Sequence, residues 1–269
     1  VVIFDLVRTT LTTKGEGALS SLVTGSLRKL LNMLVQVGYR PSEVAGAFSV
    51  SVLTLVWLGG LWAGWTMVFC GLTDPIAHSG KTAAVDVYDV LYFTGFTLTT
   101  LGVGDLIPTT FVAQILTVLA SLNGLLVITL VVTYALSVVS GVVARRTLAY
   151  KIYLTGGDEG EFLTAFTNVE EFGAWLGSIK QELIPCTEQR LAYPVLDNFI
   201  TRDRRFSLPS QLAKLGLAAQ RESQAESPGQ QTARELSALL TVVDRYVALT
   251  GLRGGDLTTK LEKLSQRDA

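Results

Sequence analysis

Charged side chains are scarce in this sequence: Asp, Glu, Lys and Arg together make up 17% of its 269 residues, while 49% are hydrophobic and the mean hydropathy is +0.41. A soluble domain carries roughly 25% charged residues. Histidine occurs once, at His78, and cysteine twice, at Cys70 and Cys186. So few thiols exclude a disulfide-built scaffold, and both are expected to be packing groups. No Cys/His set has metal-ligand spacing, and no nucleophile stands near a plausible base. An enzyme is therefore not expected, nor any cofactor. The net charge of −1 gives no global basic field, so nucleic acid is not an expected partner. A dinucleotide fingerprint and a calcium-binding loop are also missing from the sequence.

The shortage of charge is concentrated in two places. No charged residue lies between Glu43 and Asp74, and none between Asp105 and Arg145. Either interval exceeds the roughly 20 residues a helix needs to cross a bilayer. Residues 147–269, in contrast, carry acids and bases at ordinary soluble density. The reading is an all-α membrane protein in three parts. Residues 1–43 form an N-terminal segment with an amphipathic interfacial helix. Residues 44–146 hold an outer helix over 44–72, a short re-entrant helix over 86–99, an irregular segment over 100–105 and an inner helix over 109–146. Residues 147–269 form a small helical domain in the cytosol.

The details behind these bounds differ in weight. Residues 1–7, VVIFDLV, suit either the tail of an upstream span or the end of a buried element. Apolar residues recur at helical spacing over 18–37, with Arg28 and Lys29 on the opposite side. That pattern fits a helix lying in the membrane interface, or one packed on the C-terminal domain. Arg28, Lys29 and Arg40 precede the first span, and Arg145 with Arg146 ends the second, while the loop between them holds four acids and one Lys. Both flanks are thus expected in the cytosol, with the protein multi-pass in the plasma membrane and its C-terminus cytoplasmic. In the last part, helical periodicity covers 161–183, 188–200, 209–220 and 232–249, and residues 221–231 read as a linker. The basic run TRDRRF, 201–206, suits an anionic ligand or a solvated turn.

The stretch TLTTLGVGD, residues 97–105, interrupts the apolar pattern between the two spans. Irregular backbone at membrane depth is tolerated only where protein buries it or where it lines a water-filled path. Gly102 and Gly104 reach positive φ without a Cβ penalty. If conformations alternate through Thr100, Leu101, Gly102, Val103 and Gly104, successive carbonyls can point the same way and replace a cation's water shell. A single chain builds one wall of such a path, so a symmetric homo-oligomer is expected.

The run YDVLYFTGFTLTTLGVGDLIP, 88–108, resembles the tetrameric potassium channels in their prokaryotic form, with two spans and one pore loop. The likeness rests on an aromatic pore helix, a T-x-G-x-G-D filter and the proline that follows. It extends to Gly124, whose spacing from Gly102 resembles that of the family's hinge glycine. By resemblance, the carbonyls of Thr100, Leu101, Gly102 and Val103 would bind dehydrated K+ in single file, as a permeant ion and not a cofactor. Gly104 would complete the filter, supported by Thr99, Asp105, Tyr92 and Phe93. Leu125, Thr129 and Thr133 would line a cavity below it, although either threonine hydroxyl can instead bond back to its own helix. The homotetramer, surrounding membrane lipid and a possible cytosolic ligand are the partners implied.

This sequence departs from the family at two places. Val103 stands where the family usually has Tyr or Phe, and Phe93 opposite it offers no donor. The support of Asp105, often a tryptophan, falls to Tyr92. A weakly selective K+/Na+ channel is therefore the alternative to a potassium-selective one. A transporter subunit would carry several loops with one filter glycine each, and this chain has one loop with two. His78, in the outer loop, is either a pH sensor or simply solvated.

Overall fold

The computed structural model describes residues 1–11, 16–36, 44–80, 84–157, 160–199, 201, 203–224, 230–249 and 256–267. Helices account for most of them: α1 (Val2–Leu11), α2 (Ala18–Gln36), α3 (Ala45–Cys70), α4 (Val87–Leu98), α5 (Phe111–Gly156), α6 (Val169–Ala192), α7 (Leu208–Gln224), α8 (Gln230–Ala248) and α9 (Leu257–Arg267). Two short strands, β1 (Ile76–His78) and β2 (Leu106–Pro108), pair antiparallel with Ile76 opposite Pro108. Two of the helices, α3 with 26 residues and α5 with 46, are long and apolar enough to cross a membrane.

The described chain divides into two compact units, Val1–Leu30 with Ala47–Leu136 and Leu31–Gly46 with Ser137–Ala269. In the first, α1, α2 and α3 meet at the carboxylate of Asp5, which is only 3% exposed. Asp5 accepts hydrogen bonds from the Leu19 amide (2.8 Å), the Ser20 amide (3.1 Å), the Ser20 hydroxyl and the Trp57 indole (3.2 Å). The amides belong to the first turn of α2, so Asp5 caps that helix from a distance and meets the positive end of its dipole. Gly60 lets α1 come close to α3, since a Cβ there would lie 2.9 Å from the Val2 side chain. Trp57 packs edge-on against Tyr134 of α5, with ring centres 5.4 Å apart.

In the second unit the end of α5 is part of a helical core. Leu148, Ala149 and Ile152 are buried with Phe172, Leu176 and Ile179 of α6, Leu212 and Leu215 of α7, Val243 and Tyr246 of α8, and Leu261 of α9. Beside this core Arg190 pairs with Asp197 at 2.8 Å and lies 4.7 Å over the Tyr246 ring. Arg145 donates to the Leu196 carbonyl (2.9 Å) and to the Tyr246 hydroxyl (3.2 Å).

The apolar run therefore ends at 146 but the helix does not. Arg and Lys are good helix formers, and α5 stops only where Gly157 takes φ 61°. Likewise α6 runs through Pro185 without a break, starts at Val169 behind an Asn168 cap, and joins two segments that periodicity separates. Residues 225–229 of the expected linker, and Arg202 of the basic run, lie outside the described residues.

Candidate functional site

The short helix α4 is fixed at its start, side and end. Asp86 accepts from the Asp89 amide at 2.8 Å, and Asp89 accepts from the Asp86 amide at 3.0 Å, a reciprocal cap. Along its side, the Trp62 indole of α3 donates to the Leu91 carbonyl at 2.9 Å, and the hydroxyls of Thr66 and Thr94 lie 2.8 Å apart. Phe93 is buried, with its ring 5.2 Å from Phe69 and 5.3 Å from Phe96. Tyr92 packs on Phe96 at 5.1 Å. At the end, the Thr99 amide and hydroxyl both donate to the Gly95 carbonyl, at 3.1 and 2.9 Å.

Beyond α4 the backbone alternates in hand. Thr100 (φ 57°), Gly102 (φ 57°) and Gly104 (φ 84°) are left-handed, and Leu101 and Val103 between them are not. For Thr100 this conformation costs about 1–2 kcal/mol. The amides of Leu101 (2.9 Å) and Gly102 (3.4 Å) both donate to the Phe96 carbonyl. Those donors are therefore turned back on the helix. Leu101 and Val103 are exposed, at 71% and 49%.

The far side of the alternating segment is clamped. The Asp105 carboxylate lies within electrostatic reach of the Tyr92 hydroxyl. The Asp105 carbonyl accepts from the Ser79 amide at 2.8 Å, and β2 follows at once, paired with β1. His78, at the end of β1, places Nε2 3.3 Å from Asp89 Oδ2. The outer loop, the cap of α4 and the exit of the segment thus form one bonded ring. Sequence periodicity misses these strands because each has only three residues.

Below α4, Gly124 of α5 touches the helix end. A Cβ at this position would lie 2.0 Å from the Leu98 carbonyl oxygen. A close approach, not only flexibility, thus requires glycine here. One helical face beyond it carries Leu125, Thr129 and Thr133, all exposed. The Thr129 hydroxyl donates to the Leu125 carbonyl and that of Thr133 to the Thr129 carbonyl, each at 2.9 Å. A hydroxyl that donates in this way keeps lone pairs able to accept.

The structure brings together Tyr92 with Asp105, Thr99 with the end of α4, and Gly124 with Leu98. It packs Phe93 into the aromatic cluster behind the segment. Trp62 holds α4 to α3 as a helix-packing contact, one of the two roles its sequence position suits; Thr66 and Thr94 beside it are not singled out by sequence, and their polar atoms inside charge-free helices are the available signal.

Comparison with known proteins agrees with this geometry. Residues 52–141 match the family model described as an ion channel. The "Uncharacterized membrane protein YdjJ" of Bacillus subtilis (strain 168) is 29% identical over 157 residues, covering 57% of this chain and 46% of that protein. The chain spans about half the length of this relative. No solved structure matches it. The matched stretch contains most of α3, all of α4, the alternating segment and the start and middle of α5, and is similar to an ion-channel domain.

Proposed function

We propose that this protein is a potassium channel, a homotetramer of the plasma membrane whose four copies of residues 100–105 enclose one path. The observation that carries this reading is the alternation of hand at Thr100, Gly102 and Gly104, together with the commitment of the Leu101 and Gly102 amides to Phe96. Turning donors away leaves the carbonyls of Thr100, Leu101, Gly102 and Val103 as the polar groups of the path. With the Thr100 hydroxyl they replace the water shell of a bare cation, and repeated equivalent sites allow it to move on. The C-terminal end of α4 directs its negative dipole toward the space below, where Thr129 and Thr133 add acceptor oxygens. The basic residues flanking both spans support a cytosolic C-terminus.

A second reading, a weakly selective cation channel, is favoured by Val103 alone. Its side chain has no polar atom, and Phe93 is occupied by Phe69 and Phe96. Packing, not a hydrogen bond, then holds the segment's width. Reversal potentials with potassium on one side of a planar bilayer and sodium on the other separate the readings. A shift of about 60 mV, which corresponds to a tenfold preference, or a larger one supports the selective channel; a potential near zero supports the weakly selective one.

A further inference from the structure

We propose that α5 carries, where charged residues return to the sequence, a contact surface for further copies of this chain. It is a seam of Val143, Thr147, Tyr150 and Leu154 that joins the helical parts of four subunits. This surface presupposes the four-copy path described above and adds to it in the charged half of the chain. All four residues lie beyond the matched stretch 52–141.

The seam follows from which residues of α5 a single chain covers. Thr129, Leu136, Val143 and Tyr150 stand seven residues apart, and all are exposed. Thr133, Ser140, Thr147 and Leu154 repeat that interval four residues later and are exposed as well. Steps of four and three therefore alternate without a break over 129–154. From Ser140 to Leu154 the exposed face narrows to this line and Arg146. On the other side, Leu148, Ala149 and Ile152 are buried in the helical core. One face of the helix is used inside the chain, and the opposite face stays open among the described residues.

The repeat identifies the occupant. A straight helix has about 3.6 residues per turn, so a line kept at about 3.5 suits helices that wind around one another. A lipid tail or a loop sets no such period. The partner is then a helix with the same repeat, and α5 of another copy has it. The line also begins at Thr129 and Thr133, the two hydroxyls of the space below α4, so the seam continues a face already assigned to the four-copy path. Solvent supplies the driving force. Arg145, Arg146 and Lys151 mark the return of charge, yet Leu154 beyond them is 65% exposed. Contact between copies takes Tyr150 and Leu154 out of water. The flanking cations do not oppose it: Lys151 pairs with Glu182 at 2.6 Å, and Arg146 reaches Thr201 Oγ1 at 3.5 Å.

The test uses the full chain in detergent with Cys70→Ser, which leaves the buried Cys186 as the remaining native thiol. Leu154→Cys is compared with Ser237→Cys, at an exposed position of α8. A short bifunctional maleimide is expected to join L154C subunits at least about tenfold faster, because a seam holds those thiols at high effective concentration. Leu154→Glu brings four carboxylates together and is expected to lower the SDS concentration that dissociates the oligomer, while Ser237→Glu leaves it unchanged. Equal coupling rates for the two cysteine variants, or an unchanged dissociation point in L154E, would overturn the proposal. If L154E does not fold, the coupling rates decide alone. Subunit counting by native mass spectrometry separates the two readings. A tetramer in which L154C does not couple removes the seam and keeps the four-copy path, and a monomer removes both.

Discussion

At the scale of single residues, the left-handed positions carry the sharpest consequences. Gly102→Ala forces a Cβ into φ 57°, at a cost of about 1–2 kcal/mol per subunit. Ion flux in liposomes is expected to fall at least tenfold while the protein still inserts; unchanged flux would mean that this conformation is not needed. Gly124→Ala reverses an ordinary sign. In a helix interior this change stabilises by up to about 1 kcal/mol, but here the new Cβ meets the Leu98 oxygen at 2.0 Å. A loss of about 1–3 kcal/mol is expected, read as a lower denaturation midpoint in detergent, whereas a gain would mark Gly124 as a hinge alone. Cys186 offers a pH test in the other unit. Burial pushes its thiol up from 9.0 to about 11, with Arg145 pulling weakly the other way. The folded state thus favours the neutral thiol. The stability this contributes is complete below about pH 9 and is lost as pH rises toward 11. Alkylation of Cys186 at pH 8 is expected to require unfolding, and reaction of the folded protein at the rate of an exposed thiol would contradict the burial.

At the scale of elements, α4 is held by side-chain bonds from α3 as well as by its own cap. Removing the Trp62 indole N–H with Trp62→Phe leaves the Leu91 carbonyl without that donor. A destabilisation of about 1 kcal/mol per subunit is expected, measured again by the detergent denaturation midpoint, and no change would mean the bond is exchanged for water. This element also shows what a sequence can and cannot disclose. Two charge-free intervals mark α3 and the membrane part of α5, because hydrocarbon excludes charge whatever the tertiary contacts are. The T-x-G-x-G-D run is legible because only glycine takes its backbone freely, and Thr100 shares that hand despite its Cβ. The full extent of α5 is not legible, since crossing from lipid into a protein core changes hydropathy without changing helical geometry. Nor is the Asp5 junction. A lone acid in VVIFDLV could be solvated or buried, and only the arrival of Leu19, Ser20 and Trp57 decides.

At the scale of the whole molecule, α5 connects two kinds of structure in one unbroken helix. It starts after the exit strand of the alternating segment and ends with Ile152 fully buried in the helical core. The four-fold path proposed here also explains the exposure of Leu101, Val103, Leu125 and Thr129 in a single chain: each faces a space that only other copies complete. The decisive measurement is ion flux into liposomes holding the purified full chain, driven by a potassium gradient and repeated with sodium and with external barium. Potassium flux that barium blocks and sodium does not replace is the expected result. If the pore stays silent even after residues 151–269 are removed to free it from the helical domain, residues 100–105 are not a conduction path.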